Sequence, residues 1–224
     1  MGLDIGPDGN GGPAGNGGQD GNGGPAGNGG PAGNGGQDGN GHYLTGQLLI
    51  AMPNMRDPRF TRTVIYVCAH NADGAMGLVV NRLVGSVTFP DLLKQLGIDT
   101  EAATEEIRVH FGGPVESGRG FVLHSGEYHH ATTLQVVEQM ALTATLDILQ
   151  DMAKGRGPRR SLLALGYAGW GAGQLDAEIR SNGWLNVAAD DQLVFDQNLD
   201  TKWERAIAKL GVDPALLSSD AGHA

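Results

Sequence analysis

Between positions 47 and 82 the chain reads QLLIAMPNMRDPRFTRTVIYVCAHNADGAMGLVVNR, and this stretch limits the fold more than any other. It holds short apolar runs at 48–52, 63–69 and 75–81, each bounded by turn residues, as buried strands are. The second run, TVIYVCA, is β-branched and aromatic, the composition of a central strand. Pro53 stops the first run. Asn54-Met55-Arg56-Asp57-Pro58 is turn chemistry, because Pro58 disfavours the helical region at Asp57 and Asx side chains bridge bends. Asn71-Ala72-Asp73-Gly74 reads as a hairpin turn, and Gly77 marks a place where backbones approach closely.

The remaining chain reads as elements packed onto these strands. Thr88 near a cap, Pro90 in the first turn, the body DLLKQL and Gly97 beyond it predict a short helix. Residues 100–106 form an acidic connector. Residues 109–111 lead into a tight turn at Gly112-Gly113-Pro114. Strands follow at 120–124 and, with a less regular pattern, at 136–142. Thr145 predicts the N-cap of LDILQDMAK, which Gly155 ends. Residues 161–167 read as a buried strand, and Gly169 to Gly173 as a sharp turn into the amphipathic QLDAEIRSNG. Late strands at 185–188 and 192–195 precede a closing helix at 202–210. Strands outnumber helices and short turns join several of them. The expected class is α+β, with a mixed or antiparallel sheet and helices against it.

Glycine supplies 38 of 224 residues, and the excess lies ahead of this region. Residues 7–42 repeat a hexapeptide, PDGNGG, PAGNGG, QDGNGG, PAGNGG, PAGNGG, QDGNGH, with glycine at every third position from Gly6 to Gly39. This is formally a Gly-X-Y pattern. Half of the triplets are Gly-Asn-Gly, which adds backbone entropy and leaves nothing apolar to bury. A flexible or loosely extended tail is expected, with a polyproline-II or collagen-like module as the alternative. A calcium β-roll needs a nine-residue repeat with a large apolar residue in each turn. The expected division is a tail at 1–42 and one domain at 43–224.

The formal charge is −10. Without the four acids of the tail, 21 acids still face 15 bases, so direct nucleic-acid binding is not expected. Arg156, Arg159 and Arg160 gather at one loop and read as a solvated face. Cys68 is the only cysteine, which excludes an intrachain disulfide. No charged-then-apolar leader is evident. The apolar runs are far short of the roughly 20 residues that span a bilayer. A cytoplasmic protein with no membrane partner is expected.

Several residue groups are candidates for chemistry. Cys68 and His70 lie two apart on one strand, which puts both on one face. A thiolate–imidazole pair there is a nucleophile or redox candidate, against the plainer reading of a buried cysteine. His124, Glu127, His129 and His130 crowd one segment but match no standard metal spacing, and no metal is assigned. The glycine-rich stretch 166–173 opens a helix, which points to Gly171 and Gly173 as anion-binding candidates, although the lysine of a P-loop is missing. Asn54, Arg56, Asp57, Asn81 and Arg82 are polar loop positions beside a rigid sheet, where binding sites tend to form.

Three blocks carry a family resemblance: LLIAMPNMRDPRFTRTVIYVCAHNADGAMGLVVNR at 48–82, FGGPVESGRGFVLH at 111–124 and LGYAGWGAGQLDAEIRSNGWL at 165–185. Their order and spacing resemble the YqgE/AlgH family over nearly all of 43–210. Thr63 stands where serine is common, and Leu83 where proline is common. The resemblance implies a bifurcated, strongly bent sheet forming a pseudo-barrel with flanking helices. It implies no established catalytic, metal or cofactor set. Members are often labelled transcriptional regulators. The expectation is therefore a non-catalytic, cytoplasmic binding or regulatory protein. It would act on transcription indirectly, through a protein partner or a small-molecule ligand. The alternatives are a thiol-dependent or hydrolytic enzyme using Cys68 and His70, and a polyproline-II module carried by a folded domain.

Overall fold

The computed structural model describes residues 43–98 and 107–212. The readings made for the N-terminal repeat and the acidic connector fall outside them. The first strands follow the apolar runs: β1 is Gln47–Ala51, β2 is Val64–Asn71 and β3 is Gly74–Val79. Strands β2 and β3 form a hairpin closed by Asn71 opposite Gly74. The helix α1, Phe89–Gln95, starts where its signals place it, with Thr88 and Asp91 capping each other's backbone N–H. It buries Phe89, Leu92 and Leu93, each contributing about 1.5–3 kcal/mol.

The short strand β4 is Val109–Phe111, and β5 is Val115–Ser125. The run at 136–142 is two strands rather than one, β6 at Leu134–Val137 and β7 at Met140–Thr143. The polar pair Glu138-Gln139 makes the turn between them. Helix α2 is Leu146–Ala153 and β8 is Ser161–Gly171. Helix α3 is Gln174–Arg180 and β9 is Trp184–Ala188. The segment at 192–195, expected as a strand, is the helix α4, Asp191–Phe195. The Asp190 carboxylate accepts from Leu193 N at 2.7 Å, and this cap decides between helix and strand for an apolar run too short to show a period. Helix α5 is Lys202–Ala208.

The strands form one nine-stranded sheet in the order β6-β7-β5-β8-β3-β2-β1-β9, with β4 parallel to β8. The sheet curls into a half-barrel, and the class is α+β as expected. Strand β8 belongs to both halves. Its first part pairs with β4 and β5, and residues Ala168 to Gly171 pair with β3. The concave face holds Leu48, Tyr66, Leu78, Phe121, Leu123, Trp203 and their neighbours. Helices α1 and α2 cover a second cluster, and α3 closes a third with Trp170 and Trp184.

Gly112-Gly113 is not a simple turn. Here the chain passes from β4 to β5, which flank the same strand, and it crosses the backbone of β8 on the way. A Cβ on Gly113 would lie 2.1 Å from the Tyr167 carbonyl carbon, and one on Gly166 would lie 2.4 Å from the Gly113 oxygen. Both glycines also have positive φ. Only glycine allows two backbones this close. The glycines of the second and third blocks are therefore the two sides of one crossing.

No helix among the described residues is long and apolar enough to cross a membrane.

Candidate functional site

An open cleft of 640 Å³ lies where β5 leaves β8, and Met76, Glu116, Arg119, Phe121, Tyr167 and Gly169 are among its lining residues. Its size is within the range of small-ligand sites. Each of the three sequence blocks supplies part of it: Ala69 to Met76 from the first, Val115 to Phe121 from the second, Tyr167 to Trp170 from the third.

The cleft exists because β5 does not track β8 evenly. Val115 pairs with Tyr167 and the next registered pair is Gly120 with Leu165, so four residues of β5 loop out against one of β8. Glu116 adopts φ 48° within this bulge, a left-handed backbone conformation uncommon outside glycine. The bulge turns two charged side chains over the cleft. Arg119 Nη1 donates to Glu116 Oε2 at 3.1 Å, and the guanidinium stacks 5.2 Å from the Phe121 ring centre. The Tyr167 hydroxyl donates to Glu116 Oε1 at 3.2 Å. Partial burial first, and the Glu116 carboxylate next, push the Tyr167 phenol up, so it remains a donor at neutral pH. Arg119 Nε is shielded from water and has no hydrogen-bond partner.

One backbone edge also opens here. Gly171 N–H is satisfied by Gln174 Oε1 at 3.0 Å, so it points away from β3. Along an antiparallel strand, outward and inward groups alternate by residue. Gly169, two positions back, therefore directs its N–H and C=O away from β3 as well. On that side the registered pairing with β5 stops at Tyr167. The floor between is apolar, made by Met76, Phe121 and Tyr167 with no side chain at Gly169. Beside it, Trp170 is held by its indole N–H, which donates to Glu178 Oε2 at 2.9 Å; Trp184 donates to the same oxygen at 2.8 Å.

The candidates named from sequence fall elsewhere or have structural partners. Cys68 and His70 do not share a face. A bulge between Val67 and Ala69 inserts one extra residue into β2, which reverses the alternation. Cys68 packs into the concave core, 2% exposed, and burial pushes its thiol up to about 12. His70 accepts from Leu44 N at 3.1 Å through Nδ1, and its Nε2 lies 3.6 Å from Asp176. It pins residues 43–45 to the opposite face.

Asn81 continues the ladder beyond β3, accepting from Val64 N at 2.8 Å and donating to Arg62 O at 2.9 Å. Arg82 donates to the carbonyls of Arg59 and Thr61. Asp57 is gripped through both carboxylate oxygens by Arg59, whose side-chain hydrogen bond holds its carboxyl below the usual carboxylate range. These three residues fasten the loop between β1 and β2, whereas Asn54 and Arg56 are exposed on it. Gly171 lies in the strand rather than a phosphate-cradling loop. Gly173, at φ 67°, precedes a helix of only 7 residues.

The histidine-rich segment is also dispersed. His124 is fully buried, bonded to Ser125 O at 3.0 Å and Thr143 Oγ1 at 2.9 Å. Glu127 accepts from Ser125 Oγ and Arg159 N. His130 faces Asp147 at 3.7 Å, and His129 is exposed. Among the described residues no group of three potential ligands is close enough to hold a metal ion. Arg156 pairs with Asp151, and Arg160 with Asp191. Glu116, Arg119 and Tyr167 were not singled out from sequence. The only signal for the first two was a charged pair set among glycines in ESGRG, directly before an apolar strand.

The AlgH-like family model matches residues 48–215. A UPF0301 protein of Rhodospirillum rubrum is 58% identical over 182 residues, covering 81% of this chain and 95% of its own length. A UPF0301 protein of Methylocella silvestris is 55% identical over 190 residues, covering 81% and 92%. The solution structure of AlgH from Pseudomonas aeruginosa superposes with a TM-score of 0.68 at 43% identity, over 84% of this chain and all of that one. A crystal structure of the Corynebacterium diphtheriae protein DIP2367 shares the fold at 18% identity, with a TM-score of 0.64 over 80% of this chain and 93% of that one. The resemblance carried by the three sequence blocks is thus borne out, and the chain belongs to the AlgH-like UPF0301 family.

Proposed function

We propose that this is a non-catalytic binding protein of the cytoplasm, and that the cleft at the β5 bulge is its ligand site. The observation that carries this reading is convergence: the three blocks that mark the family meet at one cleft with an apolar floor and a few polar groups, the usual make-up of a ligand site. A regulatory role would then be indirect, the ligand or a protein partner acting through this cleft rather than the chain reading DNA. The acidic balance of the chain supports that. The thiol-enzyme alternative has weaker support, because Cys68 is buried with its thiol held in the neutral form and His70 is turned to the other face.

The test is a fragment screen on the full chain read by amide NMR. Saturable shifts at Tyr167, Gly169 and Trp170 are expected. Hits that map consistently to another surface would overturn the cleft assignment. Sequence-specific DNA binding by the purified chain, weakened by salt, would overturn the indirect reading.

A further inference from the structure

We infer that the cleft takes an N-acylated α-amino acid through its free carboxylate, with an apolar side chain lying on the floor. This rests on the proposal that the cleft is the ligand site. Three features of the cleft correspond to three parts of such a molecule. Gly169 offers an outward N–H and C=O on a strand edge whose registered pairing ends at Tyr167. An amide group in extended conformation completes such an edge, as in strand addition.

Arg119 supplies the second feature. Its Nη1 end is taken by Glu116, while Nε has no partner. A guanidinium presents paired donors on its Nε side, and a carboxylate matches them with two parallel bonds. The side chain is 40% exposed, so it can turn this side toward an incoming ligand. The third feature is the apolar lining of Met76, Phe121 and Tyr167, whose ring edge lies against Gly169 and offers a surface for an aromatic or branched side chain.

Charge limits the ligand to a single carboxylate. Glu116 is paired with Arg119 and hydrogen-bonded by the Tyr167 hydroxyl, and Asp73 also lines the cleft. A second anionic group would meet one of these acids. The same chemistry is present in a free N-acyl amino acid and at the C-terminus of an extended peptide.

The experiment titrates the full chain with N-acetyl-L-phenylalanine, with its primary amide, and with the tripeptide glycyl-glycyl-phenylalanine, following amide and arginine Nε–H resonances. The acid should shift Gly169, Tyr167 and the Arg119 Nε–H together. The neutral amide should bind about tenfold more weakly, the loss typical of removing a charge-assisted bond. Arg119→Lys keeps the charge but loses the fork, and should bring the acid down to the affinity of the amide. Circular dichroism checks that this variant is folded.

Tighter binding of the tripeptide than of the acetylated residue supports a peptide C-terminus as the source; equal binding supports the free acyl amino acid. Equal affinities for acid and amide, or no effect of Arg119→Lys, would overturn carboxylate recognition while leaving the cleft as a site for neutral ligands. Silence of these resonances toward all three compounds would also overturn it. The fragment screen then decides separately whether the cleft binds anything.

Discussion

Replacing Glu178 with alanine removes one carboxylate that serves two buried indoles. Oε2 accepts from Trp170 Nε1 at 2.9 Å and from Trp184 Nε1 at 2.8 Å, while Gln174 Nε2 steadies Oε1 at 2.9 Å. The indoles are 7% and 3% exposed and pack edge-to-face with ring centres 6.0 Å apart. An indole N–H has no alternative role, so each is left as an unpaired donor. A buried donor without a partner costs about 1–3 kcal/mol. Glu178 is only half-buried, so water regains part of this. The expected loss is about 2–4 kcal/mol, with a fall in Tm of roughly 5–12 °C for a domain of this size. Glu178→Gln retains an acceptor and should lose about 1 kcal/mol. Urea unfolding followed by tryptophan fluorescence is direct, since two of the 3 tryptophans report on the contact. A Glu178→Ala protein within about 0.5 kcal/mol of the parent would refute the claim that the carboxylate supports both indoles. Because Trp170 lines the cleft, the same variant should also weaken any ligand bound there.

Three further outcomes are expected. Cys68 should resist iodoacetamide in the folded protein and react in urea. Its folded value is raised to about 12 from 9.0, so the unfolded state ionises first, and its contribution to stability is present below about pH 9 and lost as pH rises further; Cys68→Val should remove that part of the decline in pH-dependent unfolding. Lys202 behaves in the opposite sense. It is fully buried, donates to Val80 O at 3.0 Å and Val194 O at 2.8 Å, and desolvation lowers it from 10.5 to about 8. Between those values the unfolded chain holds the extra proton, so the stability of the parent should rise relative to Lys202→Met, and parallel pH profiles would refute this. Gly113→Ala places a Cβ 2.1 Å from the Tyr167 backbone and should cost at least about 4 kcal/mol, measured as loss of soluble folded protein; a stable variant would show that the crossing can relax.

Much of the strand and helix content was readable from local chemistry. The cap at Thr88, the β-branched run of β2 and the Asn71–Gly74 hairpin carry their instructions within a few residues. Where two structures compete for a short apolar run, local pattern fails. Residues 192–195 became helical because the Asp190 side chain capped them. The run at 136–142 split because a polar pair could turn. The pairing of Cys68 with His70 failed for a different reason: a single bulged residue changes which face every later side chain takes.

The cleft was legible only as fragments. Glu116, Arg119 and Tyr167 are separated by up to 51 positions in the chain, and neither spacing nor composition relates them. By itself the sequence determined the α+β class, the order of most elements and the family, because these follow from local propensity and from blocks of characteristic residues. The glycines of FGGP and LGY were visible too, but not their reason. That two backbones cross at Gly113 and Gly166, that β5 bulges away from β8, and that Gly169 and Arg119 open onto the same cleft were decided by tertiary structure. Such features depend on which distant segments become neighbours in the curled sheet, and no single stretch of the chain specifies them.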